Sequence, residues 1–178
     1  MALFPAVYRS LDRFAAVEPS RDQHEQIISR LALGPHRMVL LRDATGRIWI
    51  EQRSTERRWR SEVAGLMGVY RTDPRAGLTH WALAGLVGSD LGVPGTVTGV
   101  SVWLEGREVA RAGIQELAWI VGLPSEAACW KPTVSFLNED GSRWGSAFQF
   151  PQRLEEALGS QAGSSPDGSG WSPYASIQ

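Results

Sequence analysis

Two four-residue turn sequences constrain the fold of this chain most strongly. Asp43-Ala44-Thr45-Gly46 and Asn138-Glu139-Asp140-Gly141 each end in the glycine that a tight hairpin uses for positive φ. Each is flanked by short β-prone runs, 37–42 with 47–53 and 133–137 with 143–150. A third β run, 96–104, follows the break Gly92-Val93-Pro94-Gly95 and keeps Val100, Val102 and Leu104 on one face. Together these runs predict a mainly antiparallel sheet with at least one apolar face.

Helices are expected ahead of that sheet. Phe4, Val7, Tyr8, Leu11, Phe14 and Ala15 recur at helical spacing, with Pro5 in the first turn. Ser20-Arg21-Asp22-Gln23 reads as a capping box that opens a second helix, which buries Ile27, Ile28 and Leu31 and stops at Gly34-Pro35. Shorter helical readings fall at 78–87 and 114–121, with a closing turn at 152–158. The expected fold class is therefore α+β, two N-terminal helices packed on a mainly antiparallel sheet. Residues 1–159 read as a single domain. Of the last 19 residues, 11 are Ser, Gly or Pro, so 160–178 reads as a flexible tail.

Composition narrows the chemistry. No apolar run approaches the ~20 residues of a membrane span, and the N-terminus lacks a signal-peptide layout, so an intracellular protein away from membranes is expected. Cys129 is the single cysteine, which excludes an intramolecular disulfide and a cysteine-clustered zinc site. Lys131 is the single lysine; it precedes Pro132 and no glycine loop, which excludes a P-loop. His24, His36 and His80 have no metal-ligand spacing, and His80 beside Trp81 reads as a satisfied core histidine. No nucleophile elbow is present. Gly85, Gly88, Gly92, Gly95 and Gly99 read as turns and close packing. No catalytic residue, metal or cofactor is expected.

Two segments resemble known functional elements. The residues 38–53, MVLLRDATGRIWIEQR, and 105–123, EGREVARAGIQELAWIVGL, resemble the Nudix hydrolase family: the first is similar to the hairpin that precedes its catalytic box, the second to the latter half of the box. Trp119 and Ile120 stand where the family pattern has its two metal-binding glutamates, and Ser101 and Arg107 where it has a glycine and a glutamate. The resemblance thus implies a catalytically inactive relative, because carboxylates are needed to hold Mg²⁺ against diphosphate. The segment 114–141 has the order of a helix-turn-helix with a wing. Pro132 interrupts its recognition helix, however, and its charge of −3 is the wrong sign for phosphate.

Interaction surfaces are the more specific expectation. The net charge of −1 conceals +4 over 1–75 and −5 over 76–178, a split that suits either an anion-binding surface or attraction between the two halves. Arg42, Arg47, Arg57, Arg58, Trp59 and Arg60 group arginines around a tryptophan in a charged surface loop, a composition found at protein-binding hot spots and at nucleic-acid clamps. Trp171, Tyr174 and Ile177 recur every three residues around Pro173, as an extended tail would present them to a partner. The expected function is therefore a non-enzymatic protein-interaction or regulatory role. Nucleic-acid binding, through 42–60 or 114–141, is the alternative.

Overall fold

The computed structural model describes residues 24–53, 58–72 and 78–159. Eleven strands dominate it: β1 (Gln26–Leu33), β2 (His36–Arg42), β3 (Ile48–Arg53), β4 (Arg58–Glu62), β5 (Gly68–Arg71), β6 (Trp81–Leu86), β7 (Gly99–Leu104), β8 (Arg107–Gly113), β9 (Ala118–Leu123), β10 (Thr133–Leu137) and β11 (Arg143–Gln149). The one α-helix among the described residues is α1 (Leu154–Gly159), and two 3-10 turns cover Ser89–Leu91 and Ser125–Cys129.

The strands form three antiparallel sheets, ordered β1-β2-β3-β4, β5-β6-β9 and β11-β10-β7-β8. The three-stranded sheet lies between the other two, because its residues alternate between two cores. Val69, Trp81, Leu83, Trp119, Val121 and Leu123 pack with Val100, Val102, Val134 and Phe136. Tyr70, Ala82, Ala84, Ala118 and Ile120 pack with Leu31, Met38, Leu40, Ile48 and Ile50. Large side chains thus face one neighbour, and mostly small ones face the other. Leu154 and Ala157 of α1 close the end of the first core.

This all-β architecture corrects the α+β expectation. The segment read as the second N-terminal helix is β1. Its register against β2 passes from Ile27↔Leu41 to Ser29↔Leu40, so Ile28 is the extra residue of a β-bulge. The bulge breaks strict alternation and buries Ile28, Leu31 and Leu33, which imitates the three-residue spacing of a helix. Gly34, with φ 56, together with Pro35 turns β1 into β2. The first predicted helix lies outside the described residues.

The helical readings at 78–87 and 114–121 fail for another reason. All residues of β9 are buried, as are all but the last of β6. A strand covered on both faces has no alternation for a period to detect. The helix-turn-helix reading falls with them: 114–141 is a tight turn, β9, a 3-10 turn and the β10–β11 hairpin. The 105–123 segment that resembles the Nudix box carries strands β8 and β9 and no helix.

Both hairpins stand where their turn sequences put them. Asp43 organises the first: one carboxylate oxygen accepts the N–H and hydroxyl of Thr45 and the N–H of Arg47, and the other accepts Trp49 Nε1 at 2.8 Å. These bonds, led by those from Thr45 and Trp49, hold its carboxyl down to about 2 from an ordinary 3.8. A depressed carboxyl stabilises the fold above its unfolded value, and that contribution is lost as pH falls through the folded one. An NMR titration of Asp43 should therefore show a midpoint near 2; a midpoint near 3.8 would mean that the turn bonds do not form in solution.

Gly85 of β6 marks the closest backbone approach in the core. A Cβ there would lie 2.0 Å from the carbonyl oxygen of Leu66 and 3.0 Å from the Trp119 ring. Leu86 N–H donates to Gly65 O at 2.9 Å, which pins the two segments together. Gly85→Ala should cost about 1–3 kcal/mol of unfolding free energy by overpacking, measured by urea denaturation. An unchanged midpoint would show that the two segments part easily.

Candidate interaction surface

The β3–β4 pair carries half of the predicted cluster, Arg58, Trp59 and Arg60. Its register places Trp49 opposite Glu62, Glu51 opposite Arg60 and Arg53 opposite Arg58. Arg58, Trp59 and Arg60 therefore lie on a regular outer strand, a correction to the expected loop. The charged interruption that suggested a loop is the ordinary composition of an edge strand, where Lys and Arg discourage uncontrolled pairing.

Glu51 is the centre of this surface. Its side chain is almost fully buried, yet it accepts Arg53 Nε at 2.7 Å and Arg60 Nη2 at 3.2 Å. Arg60 Nη2 also donates to Glu25, and its guanidinium carbon lies 5.4 Å from the Trp49 ring centroid. Burial disfavours the Arg60 charge, but bonds and attraction from Glu25 and Glu51 outweigh it and raise the guanidinium above its usual value. The Trp49 indole, fixed at its other end by Asp43, forms the floor under this cation.

Arg42 and Arg47 of the cluster are also paired. Arg42 donates from Nη1 to the Glu116 carboxylate at 2.6 Å and from Nη2 to its backbone carbonyl at 3.0 Å, while Gln26 reaches the other carboxylate oxygen at 2.6 Å. Arg47 lies 3.9 Å from Glu62, at the loose end of an ion pair. Arg42 with Glu116 is the contact that joins the basic and acidic halves of the chain; Arg47, Arg53 and Arg60 pair within the basic half. The backbone alone places Arg58 and Trp59, and Arg57, Trp171, Tyr174 and Ile177 lie outside the described residues.

Nothing in the sequence marks Glu25 or Glu116 as a partner of these arginines. Glu51 had one local signal, its two-residue spacing to Arg53, which places both on one face of a strand. The other partners meet only through folding.

A second polar group is buried between the sheets. His36 Nδ1 lies 3.0 Å from Gln52 Nε2, and the His36 and His80 rings stand edge to face at 5.9 Å. His80 Nδ1 lies 2.9 Å from Leu78 O, and its backbone N–H donates to Thr72 Oγ1 at 2.9 Å. These contacts give both imidazoles structural duties. Among the described residues, no three of His, Cys, Asp and Glu are grouped to hold a metal ion, and no helix is long and apolar enough to cross a membrane.

Replacing Glu51 by Gln would leave two guanidinium groups without their shared carboxylate. Because both arginines keep solvent contact, the expected loss of stability is about 1–3 kcal/mol rather than the larger cost of a fully buried charge. The check is a lower denaturation midpoint at unchanged slope; wild-type stability would show that solvent screens the arginines fully. Comparison of the chain with protein-family models, with curated proteins and with solved structures finds no match.

Proposed function

We propose that this chain is a protein-interaction module that acts by binding rather than by turnover, and that it takes an extended segment of a partner protein along β4. The carrying observation is the hydrogen-bond phase of that strand. Val63 N–H donates to Ile48 O at 2.8 Å, so Val63, Ser61 and Trp59 direct their backbone groups at β3. The backbone groups of Arg58, Arg60 and Glu62 then point the other way, where no strand neighbours β4 among the described residues. Tyr70 Oη comes within 3.4 Å of Glu62 O, which leaves Arg58 and Arg60 as the open stretch. An extended peptide satisfies such groups by adding a strand.

The ion pairs favour this reading over nucleic-acid binding. Arg42, Arg47 and Arg60 already face carboxylates, so phosphates would have to displace Glu116, Glu62, Glu25 and Glu51. The exposed free thiol of Cys129 suits the reducing interior of a cell, where we place the protein.

Arg58→Pro tests the proposal, because it removes an outward N–H and leaves the β3 ladder intact. A partner isolated with the full chain and identified by mass spectrometry should bind the variant at least about tenfold more weakly at unchanged thermal stability. Equal binding would remove β4 as the docking edge. A steep fall of affinity with salt, on an oligonucleotide probe, would support the nucleic-acid alternative instead.

A further inference from the structure

A cleft remote from β4 gathers charged side chains from three separate stretches of the chain. Its volume is roughly 970 Å³. Glu105 comes from the β7–β8 turn, Cys129 and Lys131 from the end of the 3-10 turn Ser125–Cys129 and the link to β10, and Arg153 and Glu156 from α1 and its approach. Gln149 completes the lining from β11.

The walls are fixed by backbone hydrogen bonds. Phe150 N–H donates to Pro132 O at 3.1 Å and Leu154 N–H to Trp130 O at 3.1 Å, while Leu154 and Trp130 are both anchored in the core. Glu105 is held at φ 50, a left-handed conformation disfavoured for a residue that bears a side chain. The cleft therefore exists before any ligand arrives, which lowers the ordering cost of binding.

Its charges differ from those of the paired arginines elsewhere on the surface. Arg42, Arg47, Arg53, Arg60 and Arg111 each face a carboxylate. Lys131, Arg153 and the Glu105 carboxylate make no ion pair with any described residue. Glu156 uses one oxygen on the Arg153 backbone N–H at 3.0 Å and keeps the other. Two cations and two carboxylates thus share one preformed depression whose walls are more polar than apolar. A simple anion would meet the carboxylates, and a simple cation the basic pair. A molecule with both charges satisfies all four.

We propose that this cleft binds a small zwitterion of the amino-acid or short-peptide class, its carboxylate between Lys131 and Arg153 and its ammonium at Glu105 and Glu156. The site is independent of the β4 edge, so either can fail alone.

Trialanine is a suitable probe, with N-acetyl-trialanine amide and succinate as its uncharged and dianionic counterparts. Cys129, the one thiol, sits in the cleft and reports occupancy through its rate of alkylation by iodoacetamide. Trialanine should bind saturably and slow that alkylation, with both counterparts at least about tenfold weaker. Arg153→Met and Lys131→Met are exposed changes that should each weaken trialanine about tenfold at unchanged melting temperature. The proposal is overturned if trialanine does not saturate, if succinate or the capped peptide binds equally well, or if both variants bind as the wild type does.

Discussion

The burial of one small sheet on both faces is the constraint from which the rest of this structure follows. β5, β6 and β9 send alternate residues into two cores, with Trp81, Leu83, Trp119 and Val121 on one side and Ala82, Ala84, Ala118 and Ile120 on the other. Three strands thereby organise the eight around them. The small residues let the β1–β4 sheet approach closely, and Gly85 lets the Leu66 backbone pass directly over β6. Interiors packed at this density tolerate little added volume. The outer sheets present the polar surfaces and the edges, although Val39 and Leu41 are buried on the far face of β2 as well.

That division explains the electrostatics. Seventeen arginines in a chain with a single lysine suggest a surface built to attract anions. Most of the described arginine cluster serves the protein itself. Glu51 holds Arg53 and Arg60, Trp49 lies beneath Arg60, and Glu116 clasps Arg42 across the sheet boundary. Arginine suits this work because its planar fork makes several charge-assisted bonds and stacks on an indole at once. Lys131, Arg153 and Glu105 share a cleft and make no ion pair with any described residue.

Legibility from sequence followed the range of the interactions. The Asp43 and Asn138 turns were readable because turn chemistry is local: the aspartate bonds backbone N–H groups two and four residues on, and the glycine supplies positive φ. The closing helical turn, Leu154–Gly159, was readable for a similar reason. β1 was misread because a bulge at Ile28 reproduces helical spacing, and β6 and β9 because double-sided burial erases alternation. At the candidate surface the arginines and the nearby Glu51 and Glu62 are legible in the sequence, but the distant partners Glu25 and Glu116 are not. Glu25, Glu51 and Arg60 come together only once β4 is seen to be a strand.

The sequence by itself determined the hairpins, the exclusion of disulfide and P-loop chemistry, and which residues carry charge. Each of these depends on residue identity or on neighbours a few positions apart. The tertiary structure alone decided that the fold is all-β, that the central sheet has no solvent face, and which cations are neutralised. Those outcomes depend on pairings between segments tens of residues apart, and a periodicity computed along the chain contains no information about what covers the other side of a strand.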